Sequence, residues 1–293
     1  MLRWRVLLGA VFIAVLVGVF WLDFVTSPPA AWLLALALCV GLAGAQEVVS
    51  LLAAAGHHPL KSVIYGGTLL VIASNAIPLF WEQVPDSQPL ERLGWPLAAF
   101  AVSLLAAFVG EMRRYRSPGG VMVNVALATF AVAYIGVLLS FAIQLRVLGG
   151  PAIGMVGVIA FIAVVKLSDI GAYTVGRLIG RHKMAPYISP GKTMEGAAGA
   201  LAFACLTAWV CFEYVPAWLG CTLARHPLDW VVFGIVVGGA GMAGDLAESL
   251  FKRDVGRKDS STWLPGFGGV LDLLDSLLFA APVAYLCWLL EMR

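Results

Sequence analysis

The chain has 293 residues, 61% of them hydrophobic and 12% charged, with a formal net charge of +2 and a mean hydropathy of +0.91. A soluble domain carries roughly 25% charged residues, so there is too little charge here to coat a water-facing surface. A water-soluble globular protein is excluded, and a charge so near neutrality gives no reason to expect a nucleic-acid partner.

A helix that crosses a bilayer needs about 20 mostly apolar residues. In chain order such runs cover residues 4–22, 30–46, 62–80, 94–110, 121–143, 151–168, 196–218, 230–250 and 269–290. The expectation is an all-α polytopic integral membrane protein with about nine transmembrane helices, five in residues 1–150 and four in residues 151–293. The first run follows Arg3 and Arg5 but is longer than a signal core and ends in no small-x-small cleavage site, so it reads as a retained anchor. Five cysteines form no CxxC pair, which argues against a disulfide framework or a zinc site.

A cytoplasmic N-terminus puts Arg3, Arg5, Lys61, Arg113, Arg114, Arg116, Arg177, Arg181, Lys183, Lys192, Lys252, Arg253, Arg257 and Lys258 on the inner side. These are fourteen of the nineteen basic residues. Such a bias is the positive-inside pattern, and the expected location is the cytoplasmic membrane.

The two halves differ in kind. Residues 1–150 are apolar spans with short or plainly hydrophilic loops, whereas residues 151–293 hold two polar cytoplasmic segments, 169–195 and 251–268, and carboxylates within or beside spans. Chemistry is expected in the second half. Asp245 and Glu248 lie three apart in the eighth run, and Asp272 and Asp275 three apart at the start of the ninth, so each pair shares a helix face. The runs are joined by one short segment, which makes them antiparallel neighbours. Four acids gathered at membrane depth repel one another unless a cation neutralises them. Hard oxygen donors suit magnesium. The plainer reading is that each acid pairs with a nearby lysine or arginine, or caps a helix.

Between those runs, Lys252, Arg253, Arg257 and Lys258 put four basic residues within seven positions, a pattern that suits a polyphosphate or, equally, anionic lipid. Gly191-Lys192-Thr193 invites a P-loop reading, but Pro186 replaces that motif's first glycine and a membrane helix stands where a strand is required. A lysine among hydroxyls and backbone N–H groups before a helix still suits a phosphate, and Ser189 and Thr193 are also ordinary N-cap residues. Gly234-xxx-Gly238 permits close helix packing, within the chain or, on a bolder reading, across a homodimer.

These residues carry a resemblance. Ser249 to Asp275, SLFKRDVGRKDSSTWLPGFGGVLDLLD, is similar to the signature of the phosphatidate cytidylyltransferases, S-x-x-K-R-x4-K-D, a Pro, H-G-G and D-R-x-D. Asp169 to Gly196, with DxGAY, GRxxG and SPGKTxEG, resembles a second block of that family, and GDLxES a third. The N-terminal half resembles it only in hydrophobicity and in Glu47 after the second run. Two positions depart: Phe267 stands for the family's His and Leu273 for its Arg.

The resemblance implies transfer of the cytidylyl group of CTP to phosphatidate in membrane lipid, giving CDP-diacylglycerol and pyrophosphate at the cytoplasmic face. It implies that Asp245, Asp272 and Asp275 hold magnesium, with room for a second cation, and that Lys252, Arg253 and Lys258 join them in catalysis. Asp169, Ser189, Lys192, Thr193, Glu195 and Ser249 would lie against the substrates. Other readings are a related CTP-using enzyme (a polyprenol kinase or an ether-lipid cytidylyltransferase), a non-catalytic paralogue, or a transporter.

Overall fold

A computed structural model describes residues 2–80, 89–223, 226, 228–261, 263 and 268–291, with side chains from residue 9 to 290. In a bilayer core no water reaches the backbone, so an apolar chain must satisfy its N–H and C=O groups within helices or a closed barrel. These residues form helices. The first are α1 (Leu2–Val25), α2 (Ala31–Ala54), α3 (Lys61–Ser74), α4 (Ala76–Phe80) and α5 (Gly94–Arg114). Next, α6 (Val121–Val132) runs through a π turn at Ala133–Val137 into α7 (Leu138–Val147). Then come α8 (Pro151–Ile179), an antiparallel hairpin of β1 (Lys183–Ala185) and β2 (Ser189–Thr193), α9 (Met194–Trp218), α10 (Asp229–Asp254) and α11 (Leu271–Glu291).

Among the described residues, eight helical stretches are long and apolar enough to cross a membrane: Ala31–Ala54, Lys61–Phe80, Pro89–Arg114, Val121–Val147, Pro151–Ile179, Met194–Trp218, Asp229–Asp254 and Leu271–Leu290. Each overlies an apolar run of the sequence, and the first run coincides with the shorter apolar helix Gly9–Val25. The chain is an all-α polytopic membrane protein.

The helices outlast the apolar runs. The α8 helix has 29 residues and is therefore about 44 Å long, against about 30 Å of hydrocarbon. Asp169 and its neighbours thus sit on α8, not in a loop that starts at residue 169. Polar residues mark where a helix leaves lipid; backbone hydrogen bonding goes on until Gly180, whose extended backbone ends it.

The chain groups into two compact units, Met1–Gln144 with Asp254–Leu274, and Leu145–Arg253 with Asp275–Arg293. In the first unit α2 begins at Ala30, which has no side-chain cap. The buried carboxylate of Asp23 supplies one, accepting from the N–H groups of Ala30, Trp32 and Leu33 at 2.9–3.1 Å. Further in, Gln144 Nε2 donates to Asn75 Oδ1 at 2.8 Å and Asn75 Nδ2 to Ser140 Oγ at 2.9 Å, a buried polar thread between α7 and the α3–α4 junction. Val11, Ile13, Val17 and Trp21 of α1 and Leu97, Leu105 and Phe108 of α5 are exposed, as a lipid-facing surface requires.

The second unit centres on Phe212, Phe233 and Trp288, whose rings lie 5.3–5.9 Å apart. A Cβ on Gly234 would fall 2.6 Å from Cys205 Cα, and one on Gly238 2.7 Å from Ala204 Cβ. Gly234 and Gly238 therefore seat α10 on α9 of the same chain, which removes this pair as support for a homodimer.

Candidate active site

In the second unit, close packing of α8 on α9 places the first group of side chains. A Cβ on Gly171 would stand 2.7 Å from Phe203 and 2.8 Å from Gly199 O, and one on Gly196 2.8 Å from Ala172 O. Small residues are therefore needed where the helices touch. The hairpin between them is pinned by Glu195, whose carboxylate accepts from the N–H groups of Arg181 and His182 at 3.0 and 3.2 Å and meets His182 Nδ1 at 2.6 Å. Thr193 Oγ1 accepts from Gly196 N at 3.1 Å as the N-cap of α9. Thr193 and Glu195, expected near the substrates, thus shape the backbone that presents Lys192, and Ser189 lies at the start of β2.

Lys192 Nζ reaches Asp245 Oδ2 of α10 at 2.8 Å, an ion pair off hydrogen-bond alignment. Ser249 Oγ, one turn on, donates to Asp245 Oδ1 at 3.4 Å. A Cβ on Gly244 would lie 2.5 Å from Asp275 O, so α10 and α11 meet beside Asp245. Asp275 is buried, and its Oδ1 accepts from Ser276 N at 2.5 Å and from Ser276 Oγ at 3.0 Å. Asp169, 4.0 Å from Lys166, is within electrostatic reach of Lys192, Asp245 and Asp275. Three carboxylates from α8, α10 and α11 thus share one neighbourhood with two ammonium groups. Lys166 was not among the expected site residues; its position one turn before Asp169 was the available signal.

Two expected phosphate-binding cations are engaged within this unit. Lys252 is ion-paired with the buried Glu248 one turn earlier on α10. Arg253 Nε donates to Ile188 O at 3.2 Å, tying the end of α10 to the hairpin.

In the first unit, Asp272 faces the loop that precedes α11. Its Oδ2 accepts from Gly269 N at 2.7 Å, Ser260 N at 3.1 Å and Ser260 Oγ at 2.6 Å. Glu47 of α2, 1% exposed, lies against the same turn. It accepts from Val270 N and Leu271 N at 2.8 Å each and from Ser261 Oγ at 3.0 Å, while Ser260 Oγ, 2.8 Å away, shares its one proton between Glu47 and Asp272. A Cβ on Gly269 would fall 2.2 Å from Glu47 Oε2, so this glycine admits the carboxylate. Beside the loop opens a pocket of about 500 Å³ lined by Ser50, Arg257, Lys258, Asp259, Ser260, Ser261 and Trp263. Arg257 Nη1 donates to Ser50 Oγ at 3.2 Å. Phe267 lies outside the described residues, whereas Leu273 is in the first turn of α11.

Among the described residues no three His, Cys, Asp or Glu side chains stand together as ready ligands for one metal ion. Magnesium commonly takes one or two protein carboxylates and completes its shell with water and substrate phosphate. The neighbouring Asp245 and Asp275 fit that requirement; Asp272 Oδ2 is already surrounded by three donors.

Comparison with known proteins identifies the family. Residues 3–290 match the profile of the Cytidylyltransferase family. A phosphatidate cytidylyltransferase of Chlamydia pneumoniae is 31% identical over 254 residues, 84% of this chain and 79% of that protein. Proteins of the same name from Staphylococcus saprophyticus and Staphylococcus epidermidis are 35% and 36% identical over 189 and 162 residues. Those two alignments take in 64% and 55% of this chain and 66% and 57% of the relatives. A match that leaves only a few residues at either end unaccounted for makes this chain a member of the Cytidylyltransferase family.

Proposed function

We propose that the chain transfers the cytidylyl group of CTP to phosphatidate, giving CDP-diacylglycerol and pyrophosphate for phospholipid synthesis. The observation that carries this reading is the grouping of Asp169, Asp245 and Asp275 with Lys192 and Lys166, in a membrane protein of this family. A phosphatidate oxygen attacks the α-phosphorus of CTP as the bond to the β-phosphate oxygen breaks and pyrophosphate departs. The attacking oxygen is already anionic, so no general base is needed. The protein must align two anions and offset their charge.

Lys192, held beside Asp245 by the hairpin, is placed to exchange its carboxylate partner for a triphosphate oxygen. In the first unit, Lys258 stands in the wall of the open pocket. Arg253 ties the end of α10 to the hairpin through Ile188, and Lys252 supports α10 through Glu248. Asp245 and Asp275 are the carboxylates that would hold magnesium, and Asp169 orients Lys192 and Lys166 around them. When bound, the ion offsets the charge of the triphosphate and of the departing pyrophosphate. The substrates meet at the cytoplasmic face, where the positive-inside pattern puts these side chains.

The test supplies purified protein with phosphatidate and CTP labelled at either the α- or the γ-phosphate. Label in the lipid from the α-position only, with one pyrophosphate released per lipid formed, is the expected result. Lipid labelled from the γ-position would make the chain a kinase, and no labelled lipid from either would sink the proposal. Chelation should stop the transfer and added magnesium should restore it.

A further inference from the structure

The start of α11 presents a problem that its own sequence does not solve. The first N–H groups of a helix have no partner within it, and here they adjoin a turn that contains Gly268 and the buried Gly269 and no hydroxyl side chain. The partner comes from α2, 223 positions away in sequence, as Glu47 accepts from both Val270 N and Leu271 N. Its two remaining contacts are the hydroxyls of Ser260 and Ser261, which also line the open pocket. One carboxylate therefore holds the helix start and the pocket wall together. Ser260 passes the constraint on, because its N–H and hydroxyl both reach Asp272 Oδ2.

A carboxylate that takes two backbone N–H groups and the Ser261 hydroxyl at a helix N-terminus is already compensated by those donors and the helix dipole, so this is a clamp and not a cation site. We infer that Glu47 is a positioning residue for CTP: it fixes the Ser260–Ser261 wall and the Gly269–Leu271 turn so that the pocket lined by Arg257, Lys258 and Trp263 keeps the shape that receives the nucleotide. The pocket's volume lies within the range of small-molecule sites, and two cations with an aromatic ring suit a nucleoside triphosphate. The inference rests on the proposed reaction and adds to it a residue from the N-terminal half.

Glu47→Gln preserves shape but sets an amide NH2 against one of the two backbone N–H groups. In the purified full-length protein the KM for CTP should rise about tenfold or more, as loss of a buried hydrogen bond to a charged acceptor produces when it is felt in binding. The KM for phosphatidate should stay unchanged. Limited trypsin digestion should cut at Arg257 and Lys258 faster than in the wild type, a readout independent of what the enzyme transfers. Ser261→Ala, which removes one hydroxyl donor to Glu47, provides a milder variant if Glu47→Gln does not fold, and should shift both readouts in the same direction. An unchanged KM for CTP, or unchanged trypsin cutting, in the folded variants would overturn the inference. A wild-type protein that transfers no α-label would instead overturn the proposed reaction, and the trypsin result would still report whether Glu47 holds the loop.

Discussion

Asp245 and Asp272 fall in similar acidic patterns, three residues from a second acid, yet their surroundings differ. Asp245 meets Lys192 and a long contact from Ser249, both of which can move away. Asp272 Oδ2 is the acceptor for two backbone N–H groups, those of Ser260 and Gly269. Asparagine at Asp245 keeps an acceptor oxygen and loses the charge that would hold magnesium, so Asp245→Asn should fold and lose turnover by about 10²-fold or more. Alanine separates the two sites. Asp272→Ala leaves Ser260 N and Gly269 N without their acceptor and should lower stability by about 1–3 kcal/mol, whereas Asp245→Ala should lower activity alone. Thermal unfolding in detergent beside the α-label assay checks this, and equal unfolding temperatures for the two alanine variants would contradict it. The sequence made these acids visible because charge at membrane depth is conspicuous. It did not tell apart their roles, since spacing fixes a helix face and not the donors that face it. Glu47 was harder still: its partners lie more than 200 positions away.

Among the elements, the α8–hairpin–α9 segment turns a run of small and polar residues into a holder for Lys192. Gly171 and Gly199 let the helices touch, and Glu195 ties the hairpin to the start of α9. Gly196→Val should force Ala172 O and the Thr193 side chain aside at a cost of about 1–3 kcal/mol. Because β2 leads directly into that turn, the KM for CTP should rise as well. An unfolding scan and a CTP titration on one preparation test both; a destabilised variant with the wild-type KM would separate Lys192 from the nucleotide. The helices here were legible from hydrophobic runs, but their ends were not: α8 goes on through Asp169 to Ile179 because nothing before Gly180 interrupts its hydrogen bonding. The hairpin left no signal either. Its strands are three and five residues long, with Pro190 and Gly191 inside the second, so no period-2 pattern develops.

For the molecule as a whole, composition and charge distribution carry the prediction. Tyr187, 94% exposed at the hairpin turn, precedes α9, and the free thiol of Cys221 follows it. One membrane-crossing helix separates them, so they belong to opposite sides of the bilayer. The inner side should be that of Tyr187, because Arg177, Arg181, Lys183 and Lys192 cluster around it and short basic segments stay in the cytoplasm. With Cys39, Cys205, Cys211 and Cys287 replaced by alanine, a chain that keeps Cys221 should react with an impermeant maleimide added outside intact cells. A second chain, with Cys221 also replaced and Tyr187→Cys introduced, should react only in inverted membrane vesicles. The reverse pattern would turn the molecule over and place Lys192 and Asp245 away from cytoplasmic CTP. Labelling of both from one side would mean that α9 does not cross, and the charge-based topology would fail with it. The expected pattern puts the Lys192–Asp245 pair where the nucleotide is, with the acceptor lipid reaching it through the surrounding bilayer.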